Sequence, residues 1–185
     1  FITTIFLVGL ALRMAFGLMV HIFELREFFG GDAFAYDMKA TEMVDNWLGL
    51  SINPDQTAFE FDPRSGVAWG MYYITAGIYY IFGRNIFAAQ SFCAVIGAAT
   101  APMVYFCARN IFNNLKVARF SAIAIAVFPS FIIWSGQLLK DGLIIFLLVV
   151  AMTMVMQLQA RFSYAAVGAL ITAMVGILSI RFYIF

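Results

Sequence analysis

From Gly142 to Ala160 the chain carries no charged side chain, and Phe1–Phe23, Ile86–Ala108, Phe120–Gly136 and Ser163–Ile180 are almost as bare. A run of about 20 apolar residues is what a helix needs to cross a hydrocarbon layer about 30 Å thick. A chain built from such runs has few options, because every backbone polar group in lipid must be bonded internally. The expected fold is an all-α polytopic membrane protein. Composition agrees: 64% of the residues are hydrophobic and 11% charged. A soluble domain carries roughly 25% charged residues, so polar surface here could not cover a globular core.

The net charge of +1 and the absence of a basic patch argue against a nucleic-acid partner. Cys93 and Cys107 lie within one apolar run and read as small buried hydrophobes. The first run lacks a following small-residue cleavage site, which makes it a retained membrane helix. The chain begins at Phe1 and stops at Phe185 within an apolar run, and is expected to be the N-terminal part of a longer protein.

Nine of the ten acidic residues fall between Glu24 and Asp62; the tenth, Asp141, stands beside Lys140 between two apolar runs. Gly30-Gly31 breaks the first helix, and Asp32 is placed to cap a new one. From Ala33 to Leu50, Tyr36, Ala40, Met43, Val44, Trp47 and Leu48 recur at helical spacing, with Asp37, Glu42 and Asp45 on the other side. That pattern predicts an amphipathic helix on the membrane surface. Asn53-Pro54-Asp55 turns the chain, and Phe59 to Arg64 returns it to the membrane. Within Phe1–Phe23, Arg13 reads as a snorkelling or helix-pairing residue, and His21 as an interfacial one.

Gly66–Gly83 is long enough to suggest a span, but its Trp69, Tyr72, Tyr73, Tyr79 and Tyr80 suit the headgroup level better. The positive-inside rule settles the reading. With Gly66–Gly83 on the surface, the acid-free connector carrying Arg109, Lys116 and Arg119 lies inside, and Asp32, Asp141 and Arg181 share the outer face. The expected layout is one membrane domain over 1–185, with spans at 1–23, 86–108, 118–136, 142–160 and 163–181. An outer loop with surface helices occupies 24–84.

In that order the sequence resembles the C-type integral membrane glycosyltransferases, including the protein O-mannosyltransferase and aminoarabinose-transferase branches. The resemblance rests on Asp32, Tyr36 and Ala40 after the first helix, and on Phe82-Gly83 closing an aromatic juxtamembrane helix. It continues with the basic connector, Pro129 in the next helix, Asp141 in Leu138-Leu139-Lys140-Asp141-Gly142-Leu143, and Arg181 at a helix end. Two features depart from the family: Asp32 is followed by Ala33 where many members have a second acid, and Pro63-Arg64 stands where many have Lys-Pro-Pro.

The resemblance implies a glycosyltransferase that moves a hexosyl or pentosyl group from a polyprenyl-phosphate donor to an acceptor at the extracytoplasmic face. A carboxylate within hydrogen-bond reach can take the acceptor's proton, which makes Asp32 the candidate base, with helix capping as its alternative role. Asp141 is the second catalytic candidate, alternatively a helix cap or a partner of Lys140. Tyr36, Arg64, Lys140 and Arg181 are the substrate-binding candidates, the cations for the donor phosphate; the alternative for Arg181 is a snorkelling anchor at the helix end, and for Arg64 a headgroup contact. Asp32 and Asp141 could also hold a divalent cation, Mg or Mn. Expected partners are the lipid-linked sugar, membrane lipid and other membrane subunits. The expected location is a bacterial inner (cytoplasmic) membrane, with the acidic loop outside. A second reading, from a different class, is a non-catalytic membrane subunit derived from such an enzyme and packed in a larger complex.

Overall fold

The computed structural model describes residues 1–25, 31–50 and 69–181, which form eight helices and no strand. They are α1 (Ile2–Ile22), α2 (Gly31–Trp47), α3 (Gly70–Phe82), α4 (Ile86–Phe112), α5 (Leu115–Val127), α6 (Pro129–Ser135), α7 (Asp141–Ala160) and α8 (Tyr164–Ile180). The all-α membrane architecture expected from the sequence is the one observed. The turn Asn53-Pro54-Asp55 and the return segment ending at Arg64 lie outside the described residues.

By length and composition, α1, α4 and α7 are suited to cross a membrane, and the bent pair α5–α6 makes a fourth span if counted as one. The number is therefore three to four, lower than the five expected, for two physical reasons. Pro129 lacks the N–H that would continue the ladder, so the chain breaks at Phe128 and α5 and α6 meet at 57°. The fifth expected span, α8, has 17 residues, about 26 Å of helix, short of a typical hydrocarbon layer. At 13 residues α3 is shorter still. Gly83 ends it at φ +73°, a left-handed conformation that favours glycine.

The helix ends are written in the sequence. The Asn85 side chain accepts the Ala88 N–H at 3.1 Å to open α4. Asn113 closes α4 in the left-handed region, and the next residue, Asn114, opens α5 by accepting the Lys116 and Val117 N–H groups. Adjacent asparagines thus make a tight hairpin of two helices.

α4 is the central helix, packed by α1, α5 and α7, with α8 laid against α7. Its contact with α5 runs along Ala118, Ala122 and Ala126, all fully buried and one turn apart. Small residues let helices approach closely in lipid, where dispersion replaces the hydrophobic effect. Cys93 and Cys107 are buried and unpaired. The largest apolar cluster lies at one pole, where Tyr36, Met43, Met71 and Tyr79 from α2 and α3 pack over Leu138, Leu143, Ile144 and Ile180.

Arg13 does not snorkel. It has no exposed surface, and it pairs α1 with the α5–α6 break. Its Nε donates to Ser135 Oγ at 2.7 Å, and Nη1 donates to the carbonyls of Gly9 (2.9 Å) and Ala126 (3.3 Å). The guanidinium lies 4.8 Å from the Phe131 ring centroid. Gly97 of α4 makes room for this joint: a Cβ there would stand 2.5 Å from the Ser135 Cβ and 3.0 Å from Arg13 Nε.

Candidate functional site

Three helix ends meet at the acidic pole: the start of α2, the start of α7 and the end of α8. Each contributes charge. Asp32 sits in the first turn of α2, and its carboxylate receives the Lys140 ammonium at 3.3 Å from just before α7. Lys140 also lies close enough to the Tyr36 hydroxyl for each to shift the other's proton affinity. Asp141, the first residue of α7, accepts a hydrogen bond from Arg181 Nη2 at 2.9 Å across the α7–α8 hairpin. Of the six residues singled out from the sequence, five (Asp32, Tyr36, Lys140, Asp141 and Arg181) converge here. Arg64 lies outside the described residues.

Two sequence expectations change. Because α2 already includes Gly31, Asp32 lies within the helix and its carboxylate serves Lys140. Asp141 pairs with Arg181 rather than with its neighbour Lys140.

The electrostatics follow from this pairing. Partial burial lowers the Lys140 pKa, but the contacts with Tyr36 and Asp32 outweigh it, and the net shift is upward. Lys140 is therefore a cation throughout the neutral range. Burial raises the Tyr36 pKa further than Lys140 lowers it, so its phenol stays protonated and can donate. Its ring meets Tyr72 edge-on at 5.2 Å, which fixes it between α2 and α3.

A second acidic centre was not singled out from the sequence. Asp37, expected on the polar side of α2, is buried. It accepts the Tyr79 hydroxyl at 2.6 Å and the Arg84 guanidinium at 2.7 and 3.4 Å. The hydrogen bond to Asp37 and its charge raise the Arg84 pKa. This triad fastens α2 to α3 and so holds Asp32 and Tyr36 over the ends of α7 and α8. Nothing local in the sequence announces it, because its partners lie more than forty positions downstream.

A cavity of about 600 Å³ opens beside Asp141 and Arg181. Its other walls are Ile125, Phe128, Phe131, Trp134 and Ile145, with Ser130 among them, residues of the α5–α6 break and of α7. The break thus turns aromatic side chains toward the charged pair. A cavity that is apolar on one side and carries an Asp–Arg pair on the other suits an amphiphile with an anionic head. Among the described residues no three His, Cys, Asp or Glu side chains gather as a metal site. Asp32 and Asp141 each face a basic side chain.

No curated protein and no solved structure matches the chain. A family model does: the dolichyl-phosphate-mannose-protein mannosyltransferase model matches residues 65–179, more than half of the chain. The match takes in α3 to α7 and α8 up to residue 179, with the apolar wall of the cavity, Lys140 and Asp141; Asp32, Tyr36 and Arg181 lie outside it. Apolar spans, an amphiphile-shaped cavity beside paired charges, and this match converge: the chain belongs to the dolichyl-phosphate-mannose-protein mannosyltransferase family, a family of integral membrane glycosyltransferases that use polyprenyl-phosphate sugar donors.

Proposed function

We propose that this membrane domain transfers a hexosyl or pentosyl group from a polyprenyl-phosphate donor to an acceptor at the extracytoplasmic face. The observation that carries the reading is the convergence of Asp32, Lys140, Asp141 and Arg181 beside an apolar cavity. The prenyl chain lies in the cavity, against Phe128, Phe131 and Trp134, and its phosphate reaches Arg181 and Lys140. Both cations are occupied by carboxylates in the absence of donor. An incoming phosphodiester offers the same single charge on two free oxygens as a carboxylate, and so competes with Asp32 and Asp141 for the two cations. As it draws Lys140 and Arg181 away, Asp32 and Asp141 are released. Asp32 then takes the acceptor's proton as the glycosidic bond forms and the bond from the sugar to phosphate breaks. Asp141 orients the acceptor, Tyr36 helps to place the phosphate through Lys140, and Arg64 adds a contact to the donor headgroup.

Two features support the orientation. Described carboxylates gather at the Asp32 pole, while Arg109, Lys116, Arg119 and Arg161 occupy the other end of the bundle. By the positive-inside rule the basic end faces the cytoplasm. The expected membrane is a bacterial inner membrane, with other membrane subunits as partners of the same domain.

The test is transfer from a radiolabelled polyprenyl-phosphate sugar by the full-length protein, with binding of the same donor measured alongside. Asp32→Asn is expected to abolish transfer and leave donor binding and folding intact. Near-normal transfer would remove Asp32 as the base. Donor binding without transfer by the unaltered protein, across hydroxyl and amide acceptors, would favour the non-catalytic subunit.

A further inference from the structure

The end of the bundle opposite the acidic pole has a cavity of its own, about 570 Å³, between the C-terminal turns of α4 and α7. Arg109 and Asn113 line it from α4, and Gln157 and Arg161 from α7, with Asn110 beside them and Met156 as an apolar part of the wall. Two guanidinium groups therefore share one cavity. Among the described residues neither forms an ion pair, and the described carboxylates lie at the other pole. Both guanidinium groups face solvent, where one anion can reach the two together. Both helix ends already close their own backbones, since Asn113 N–H bonds the Arg109 carbonyl and Arg161 N–H bonds the Gln157 carbonyl.

We propose that this cavity binds the phosphodiester headgroup of an anionic membrane lipid. Each guanidinium offers a planar fork matched to phosphate oxygens. The Asn110, Asn113 and Gln157 amides supply donors and acceptors for the glycerol part of a headgroup. Two observations favour a lipid over a free phosphate. α4 and α7 are both long and apolar enough to span, so their ends lie at headgroup depth. Met156 gives the cavity an apolar side against which the first methylenes of an acyl chain can rest. Basic recesses between membrane helices on the cytoplasmic side hold anionic headgroups in this manner. The site is separate from the donor site: α7 alone, with 20 residues, puts about 30 Å between Asp141 and Arg161.

The experiment measures binding of fluorescent-tailed phosphatidylglycerol to the full-length protein in phosphatidylcholine nanodiscs. Arg109→Gln/Arg161→Gln is compared with Lys116→Gln/Arg119→Gln, which removes the same charge from the same pole but outside the cavity. The cavity variant is expected to weaken binding at least about tenfold, and the control far less. Equal losses in the two variants would mean diffuse attraction and overturn the site, as would no loss in the first. Inorganic phosphate at millimolar concentration is expected not to displace the lipid. Displacement would reassign the cavity to a free anion and overturn the lipid proposal. Arg109 and Arg161 are exposed, so the variants are expected to keep the unaltered protein's melting temperature.

Discussion

Asp37 lies between Tyr36 and Met38 on a helix whose apolar spacing assigns it to the polar side, and it is nevertheless buried. Tyr79 and Arg84 account for that, by bringing a hydroxyl and a guanidinium over the carboxylate as α3 packs on α2. Asp37→Ala is expected to cost about 2 kcal/mol, the scale of a charged hydrogen bond lost with its partners left unpaired. Tyr79→Phe should cost less. Thermal denaturation of the purified protein measures both, and equal stability of Asp37→Ala and the unaltered protein would contradict the triad. Lys140 carries a pH prediction. Its pKa is raised in the folded protein, so its contribution is fully present below the ordinary lysine value and is lost as pH rises through the raised one. Donor binding should accordingly be flat through neutrality and fall only in the alkaline range above that of a free lysine. A fall near neutral pH would mean that another group controls binding. Asp32, Lys140, Asp141 and Arg181 were legible as candidates because charge is rare in this sequence and each stands at a helix end. Their actual partners were not, since Asp32–Lys140 and Asp141–Arg181 join positions far apart in the chain. Local pattern carries no information on such pairs.

At the scale of elements, helical spacing announced α2 and long apolar runs announced α1, α4 and α7, while the asparagine caps of α4 and α5 emerged only from the structure. The Pro129 break was half legible: proline marks where a ladder is interrupted, but the angle depends on what takes up the freed groups. Arg13 does so, donating to Ala126 on the α5 side and to Ser135 on the α6 side, while Ser135 Oγ donates in turn to the Phe131 carbonyl. Arg13→Met is expected to destabilise the bundle by about 2 kcal/mol, from lost hydrogen bonds to buried groups. Combined with Pro129→Ala, which restores an N–H at the break, the loss should shrink. Additive losses in that double-mutant cycle would show that Arg13 does not act on the break. Gly97→Ala places a methyl against Ser135 and Arg13 and should cost about 1–3 kcal/mol by overpacking. A neutral result in thermal denaturation would mean that the joint is looser than its distances indicate.

The whole molecule is a bundle with unlike ends. Span-length helices separate a pole of paired charges, capped by α2 and α3, from a pole carrying Arg109, Lys116, Arg119 and Arg161. That separation was the most legible property of the sequence, since nine of ten acids precede residue 63 and the connector has none. The count of spans was less legible, because hydropathy does not show where a helix bends or falls short. In the proposed topology both carboxylates serve one outer site while the connector lies inside. Labelling of single cysteines by a membrane-impermeant thiol reagent in intact cells tests it most directly, using Asp32→Cys, Asn114→Cys and Asp141→Cys. The buried Cys93 and Cys107 leave the unaltered protein as the blank. Labelling is expected at positions 32 and 141 and not at 114; labelling at 32 and 114 with 141 protected would place the carboxylates on opposite sides of the membrane and contradict the shared outer site.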